Sequence, residues 1–173
     1  MKVGIIRYPG SNCDYDTLNF FEDSFFIWHK ETECPNMDLL VIPGGFAFGD
    51  RVYSKATGNY TILPGEQAIQ SPVTKVILEA YKKQIPIIGI CNGFQTLVRM
   101  GILPGSDQHA ALGHNTSGVF DCRWVELEPS SKKCVWTQNL AENIECPIAH
   151  GEGRFTCDDD TLSNLQRNDQ VAL

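Results

Sequence analysis

One cysteine of the seven stands between two glycines at a spacing that suits a nucleophile: Gly89-x-Cys91-x-Gly93, closing the apolar run that begins at Ile85. That spacing belongs to a strand-to-helix elbow. The turn is so sharp that a Cβ at either flanking position would strike neighbouring backbone, while the central side chain is pushed out above the sheet. A sulfur at the amino end of the following helix faces unpaired N–H groups and the positive end of the macrodipole, which favours the thiolate, the nucleophilic form. The chemistry such a cysteine performs is acyl transfer, and acyl transfer needs donors where negative charge collects on the carbonyl oxygen. The backbone N–H of Asn92 is one candidate. A second must come from another loop, and Pro43-Gly44-Gly45-Phe46 offers the amides of Gly45 and Phe46, which can approach closely because two glycines carry no side chain. Gln95, one turn into the helix, could reach a bound substrate with its own amide.

These groups meet only if a sheet gathers the loops that carry them. Lys2 to Arg7 reads as a buried strand, and Pro9-Gly10-Ser11-Asn12 turns the chain into a helix whose Leu18, Phe21 and Phe25 share one face. Phe26-Ile27-Trp28 fits a short strand, and Leu39 to Ile42 fits another that Pro43-Gly44-Gly45 stops. Pro72 suits the first turn of a helix in which Val73, Val76, Ile77 and Ala80 recur at helical spacing up to Lys83. Pro86 to Ile90 is the next strand, and Gly93 to Met100 a helix that Gly101 ends. Apolar runs without alternation imply parallel strands covered on both faces. Alternating strand and helix predicts an α/β fold with a doubly wound, mostly parallel sheet, whose ligand crevice lies at the carboxyl ends of the strands, where the loops after residues 7, 42 and 90 open. Beyond Gly101 the pattern changes. Val119 to Leu127 alternates as an antiparallel or edge strand does, Pro147-Ile148-Ala149 is a short strand, Thr161 to Asn168 a helix, and Gln170 to Leu173 the start of a strand.

Bulk composition sets the outer bounds. A chain of 173 residues is about one domain, so residues 1–173 are taken as a single one, and 42% hydrophobic with 20% charged residues is an ordinary globular balance. Fourteen basic against 21 acidic residues leave a net charge of -7, which opposes a polyphosphate backbone and argues against nucleic acid; a small-molecule substrate is expected. The apolar start Val3-Gly4-Ile5-Ile6 stops at Arg7 with no cleavage site after it, and no apolar run is long enough to cross a bilayer, so a cytoplasmic protein without a membrane is expected. Scattered cysteines, odd in number and without any C-x-x-C pair, disfavour a disulfide framework or a zinc cluster; most are expected to be small buried hydrophobes. His109, His114 and Cys122 lack the spacing of a metal site, and none is predicted. Gly44-x-x-x-x-Gly49-Asp50 imitates a phosphate loop but puts Asp where Lys must neutralise phosphate, so nucleotide binding there is rejected. Asp158-Asp159-Asp160 reads as a solvated turn capping the helix at Thr161.

The pairing of Pro-Gly-Gly-Phe with Gly-Ile-Cys-Asn-Gly-Phe-Gln resembles the class I glutamine amidotransferases, whose fold is of the flavodoxin-like type. Four further motifs narrow the likeness to the glutaminase subunits of phosphoribosylformylglycinamidine synthase, in purine biosynthesis. They are Pro9-Gly-Ser-Asn-Cys-Asp14, Pro43-Gly-Gly-Phe-Ala-Phe-Gly-Asp50, Cys122-Arg-Trp-Val125 and Ile148-Ala-His-Gly-Glu-Gly-Arg-Phe155, and with the elbow they run in order over nearly the whole chain. The resemblance implies that Cys91 forms a thioester with glutamine and releases ammonia, which passes internally to a synthetase large subunit, with a small bridging subunit in the complex. It also implies that Gly44, Gly93 and Gln95, with Ala149, His150, Gly151 and Glu152, bind the glutamine. No cofactor is implied on this chain; ATP and magnesium would belong to the synthetase.

The family carries a His-Pro-Glu motif near its C-terminus, which supplies the base for the cysteine and the carboxylate that orients it. The 173 residues contain no such motif. The expectation is therefore that a downstream piece lies outside them or that the triad is incomplete, and that the chain alone hydrolyses glutamine poorly, since losing a base costs ~10²–10⁴-fold. His150-x-Glu152 has the same spacing and could substitute, although the resemblance favours a binding loop. Two other functions compete with the glutaminase reading: a non-catalytic binding or assembly module of the same fold, and a chaperone- or protease-like relative built on a cysteine elbow.

Overall fold

The computed structural model describes residues 1–49, 65–105 and 108–173. The chain divides into two compact units, Met1–Ile102 and Leu103–Leu173. The Gly- and aromatic-rich loop after Phe46 passes, from Asp50 to Pro64, outside the described residues, and with it the residue that ends the phosphate-loop imitation.

The first unit alternates strand and helix. Its elements are β1 (Val3–Arg7), α1 (Asp14–Phe20), β2 (Ser24–Trp28), β3 (Leu39–Ile42), a 3₁₀ turn (Ala47–Gly49), α2 (Glu66–Ile69), α3 (Thr74–Lys82), β4 (Ile87–Gly89) and α4 (Asn92–Arg99). The four strands form one sheet in the order β2-β1-β3-β4, parallel throughout. From β1 the chain steps first to one side, to β2, and then to the other, to β3 and β4. The switch point therefore falls between β1 and β3, where a doubly wound sheet opens its crevice.

Burial follows from that order. The central strands β1 and β3 are buried along almost their whole length, whereas β2 at the edge is half open. Val3, Ile5, Leu39 and Val41 make one side of the core, against which Leu18, Phe21, Phe26 and Ile88 pack. Buried Val76, Ile77 and Ala80 of α3 and Leu97 and Val98 of α4 add to the interior. Each large aliphatic side chain so buried contributes ~1.5–3 kcal/mol. Gly101 ends α4 with φ 69°, and the Ile102 N–H closes back on the Leu97 carbonyl at 3.1 Å, so a glycine in the left-handed region terminates the helix as its sequence position suggested.

One expectation fails in this unit, and one element was not foreseen. The first helix stops at Phe20 rather than carrying Phe25: Phe21 is extended (φ -105°, ψ 133°), and Phe25 is a β2 residue in register with Gly4. The Leu18 carbonyl accepts from the Ser24 hydroxyl at 2.8 Å, so a polar side chain closes the turn where helical periodicity seemed to continue. α2, four residues long, had no apolar repeat to betray it.

The second unit holds β5 (Ala110–Gly113), β6 (Asp121–Leu127), β7 (Ile144–His150), β8 (Arg154–Cys157) and α5 (Asp159–Arg167). β6 and β7 pair antiparallel, as the alternation of residues 119 to 127 implied, and β5 pairs antiparallel with β8. Asp158 caps α5 by accepting the Thr161 N–H at 2.7 Å, which confirms the capping turn. The strand expected at Gln170 to Leu173 does not form. Asp169 has φ 60°, which reverses the chain, and its carboxylate and carbonyl accept from the Lys132 and Lys133 amides and the Ser131 hydroxyl, tying this segment to a loop instead of a sheet. The cysteines also depart from expectation: none is buried, and Cys13, Cys91 and Cys122 are exposed. Small size makes cysteine tolerable in a core, but Cys13, Cys34, Cys91 and Cys134 lie outside helices and strands, Cys157 ends β8, Cys122 is an exposed β6 position, and Cys146 is only half-buried on β7. Among the described residues no helix is long and apolar enough to cross a membrane.

Candidate active site

The elbow expected from the glycine spacing is present between β4 and α4. Cys91 has φ 54° and ψ -109°, a conformation that costs a non-glycine residue ~1–3 kcal/mol and persists only where the surroundings over-determine it. They do so here through three backbone bonds. The Ile90 N–H donates to the Ile42 carbonyl at 2.9 Å, the Gly93 N–H to the Ile90 carbonyl at 2.9 Å, and the Gln95 N–H to the Cys91 carbonyl at 3.1 Å. The flanking glycines are required by close approach. A Cβ on Gly89 would lie 2.7 Å from the Gly93 backbone, and one on Gly93 would lie 2.0 Å from the Ile42 carbonyl oxygen. The side chain between them is left exposed.

The double-glycine turn after β3 lies against this sulfur-bearing residue. A Cβ on Gly44 would sit 3.3 Å from the Cys91 Cβ and 3.6 Å from the Ile90 carbonyl oxygen, so the absent side chain is the space into which the elbow projects. The loop after β1 is laced to the same turn: the Cys13 N–H donates to the Gly44 carbonyl at 3.2 Å, and the Phe46 N–H is shared between the Gly10 carbonyl at 2.9 Å and Asn12 Oδ1 at 3.1 Å. This last pairing corrects one expectation. The Phe46 amide is already engaged by its own loop and is not available to an oxyanion in this conformation. The Gly45 amide has no protein partner among the described residues, which leaves it and the Asn92 N–H at the start of α4 as the candidate donors.

Asn92 has a further role that its position beside the nucleophile concealed. Its side chain is 3% exposed; Oδ1 accepts the Ala47 N–H at 3.3 Å, and Nδ2 donates to Gln95 Oε1 at 3.0 Å. The residue thus braces the 43–47 turn against α4 and orients Gln95. Cys13, on the neighbouring loop, is a second thiol at the crevice. Burial first, and then the Asp16 carboxylate, Cys91 and the Asp14 carboxylate, push its thiol above the ordinary cysteine range. Asp14, itself nearly buried, pairs with Arg7 at 2.7 Å, and the Arg7 guanidinium lies over the rings of Tyr15, Phe26 and Trp28.

Ala149, His150, Gly151 and Glu152 come together in the second unit, at the end of β7. Here Asn115 is the organiser. Its N–H donates to the Gly151 carbonyl at 2.8 Å, and its Nδ2 donates to the His150 carbonyl at 2.8 Å and to the Val119 carbonyl at 2.9 Å. With the amide nitrogen committed to two carbonyls, Asn115 Oδ1 must be the acceptor for His150 Nδ1 at 2.8 Å, so that ring carries its proton on Nδ1. Glu152 is 5% exposed, and its Oε1 lies 3.0 Å from His114 Nδ1. His114, whose spacing in the sequence suits no metal site, therefore helps hold a buried carboxylate. The only sequence signal for either residue was adjacency, His114-Asn115, on a polar segment before a strand.

The chain can be set beside known proteins with this geometry in view. The family described as CobB/CobQ-like glutamine amidotransferase domain matches residues 1–173. Phosphoribosylformylglycinamidine synthase subunit PurQ of Trichormus variabilis is 39% identical over 178 residues, covering 99% of this chain and 73% of that protein, and the same subunit of a Nostoc species gives the same values. Among solved structures, PurLQS from Thermotoga maritima superposes with a TM-score of 0.77 at 33% identity, over 92% of this chain and 70% of that one. SMU.1228c superposes at 0.51 with 20% identity, over 91% and 64% of the respective chains, a likeness of fold alone.

Proposed function

The chain belongs to the family of CobB/CobQ-like glutamine amidotransferase domains and, within it, to the PurQ subunits of phosphoribosylformylglycinamidine synthase; on that premise we propose that Cys91 is the nucleophile that takes ammonia from glutamine through a thioester. The sulfur attacks the side-chain carboxamide carbon, and negative charge collects on its oxygen, where the amides of Gly45 and Asn92 are the donors. The carbon–nitrogen bond then breaks, the thiol proton ends on the departing nitrogen, and ammonia leaves. Water cleaves the thioester to glutamate and restores the thiol. Asn92 and Gln95 act on the substrate side of the elbow, Asn92 by holding both the glycine turn and the Gln95 carboxamide.

The observation that supports this reading is that a Cβ on Gly44 would lie only 3.3 Å from the Cys91 Cβ, so the exposed cysteine and the glycine turn are neighbours. Without it Cys91 would be a strained residue with nothing to act on. Ammonia is received by a synthetase subunit, with a small bridging subunit completing the assembly; the support for partner subunits is the Thermotoga maritima relative, whose structure is that of PurLQS.

Intact-mass analysis after exposure to a glutamine-like diazoketone tests the proposal. Labelling that maps to Cys91, that glutamine protects against, and that Cys91→Ser abolishes is the expected result. A folded chain that takes up no label would overturn it, and label that glutamine does not displace would assign the elbow to a different substrate.

A further inference from the structure

Cys91 is not the only sulfur at the glycine turn. The position a Cβ would take on Gly44 is 3.3 Å from the Cys91 Cβ and 3.8 Å from Cys13 Sγ, so Cys91 Cβ and Cys13 Sγ are at most about 7 Å apart, with a missing side chain between them. Both cysteines are exposed. Cys13 stands at the N-cap of α1 but makes no capping bond with its side chain, so its χ1 rotation breaks no hydrogen bond to the helix. The glutaminase reading uses neither this thiol nor the Asp14 and Asp16 carboxylates near it.

We propose that Cys13 and Cys91 form an intramolecular disulfide under peroxide, with Cys91 attacked first and Cys13 resolving. The Cys91 thiolate attacks one oxygen of hydrogen peroxide, the O–O bond breaks, and a sulfenic acid and hydroxide result. Cys13 Sγ then attacks the sulfenic sulfur, the S–O bond breaks, and the Cys13 proton leaves with the hydroxyl as water. Two thiols lose two electrons in all, and one peroxide becomes two waters. The order follows from the surroundings: partial burial and the neighbouring carboxylates push the Cys13 thiol up, so it is the poorer first nucleophile toward peroxide. Closing the bond needs Cβ atoms ~3.5–4.5 Å apart; a small inward shift of the first turn of α1 would bring them there through the gap above Gly44, and χ1 rotation at Cys13 would turn its Sγ toward Cys91. The product is a glutaminase centre that is switched off but recoverable, because a disulfide returns on reduction whereas a sulfinic acid does not.

The inference rests on Cys91 being reactive, as the proposed function requires, and the experiment separates the two. The full chain is treated with a several-fold excess of hydrogen peroxide, the remaining thiols are alkylated, and cross-linked peptides are mapped before and after dithiothreitol. The expected result is loss of both thiols together, a Cys13–Cys91 cross-linked peptide, and full return of diazoketone labelling on reduction. In Cys13→Ser, checked for folding by circular dichroism, the same treatment is expected to carry Cys91 to the sulfinic acid with labelling not restored. A chain that takes the diazoketone yet shows no cross-link, or that loses Cys91 irreversibly at the same rate with and without Cys13, overturns the disulfide and leaves the glutaminase reading intact. A cross-link in a chain that ignores the diazoketone keeps the disulfide and removes the glutaminase.

Discussion

Replacing Gly93 by alanine tests whether the elbow is held by contact between backbones. The new Cβ would lie 2.0 Å from the Ile42 carbonyl oxygen and 2.8 Å from its carbon. Neither atom is the end of a flexible side chain; both belong to β3, where Ile42 is 1% exposed. The first turn of α4 must therefore retreat from β3 by about 1 Å, a displacement that costs a reacting geometry on the order of 10²-fold. The same movement pulls Ile90 from the Ile42 carbonyl, which now accepts its N–H at 2.9 Å. Overpacking of ~1–3 kcal/mol and a strained or lost buried hydrogen bond of ~1 kcal/mol together give about 3 kcal/mol. At ~2–4 °C per kcal/mol for a chain of this size, the melting temperature should fall by about 6–12 °C. Thermal melts by circular dichroism and the rate of diazoketone labelling at Cys91 read the two effects separately. Gly113→Ala is the control, because a Cβ there meets nothing nearer than 3.7 Å. A Gly93→Ala chain that melts and labels like the parent would refute the account of the elbow.

Three further outcomes are expected. Asn92→Ala leaves the Ala47 N–H without its acceptor in a buried site and should cost ~1–3 kcal/mol by denaturant titration, with Asn92→Asp recovering part of it because one oxygen still accepts. Asp14→Ala removes the charged partner of Arg7 and should cost about 1 kcal/mol, with part of the loss surviving in 1 M salt, since Asp14 is shielded from solvent while the Arg7 side chain is 33% exposed. The Asp158 carboxyl is held below the usual range, chiefly by the Thr161 N–H, so its folded value lies under its unfolded one. Its contribution is therefore complete above about pH 4 and disappears as the pH falls through the folded value. Melts of the parent and Asp158→Asn should differ at pH 7 and converge in acid.

The parallel half of the fold was readable because its signals were local and strong. Leu39 to Ile42 is an uninterrupted apolar run between breakers, and the two elbow glycines constrain the chain whatever surrounds them. The neighbourhood of the elbow was readable too: Gly44 lies against Cys91, and Gln95 is bonded to Asn92. What stayed hidden depended on partners distant in sequence. Phe46 loses its free amide to Asn12, 34 residues away, and no periodicity reports a side chain accepting from a loop. Asn115 reaches His150 across 35 residues, and Cys13 comes to Gly44 only through the winding of β1 beside β3. β5 and β8 escaped notice because two short strands far apart in the chain show neither alternation nor a connecting turn.

Among the described residues nearly all buried apolar side chains belong to residues 1–102; the remainder contributes Leu112 and Leu165. Ribbons of two strands with so little interior open at low free energy. Amide deuterons should accordingly enter β5 to β8 well before β1 and β3, and trypsin should nick beside exposed Lys132 and Lys133 before it touches the parallel sheet. A preparation that ages would lose the cradle around His150 while its reactive sulfur still sat intact on the elbow.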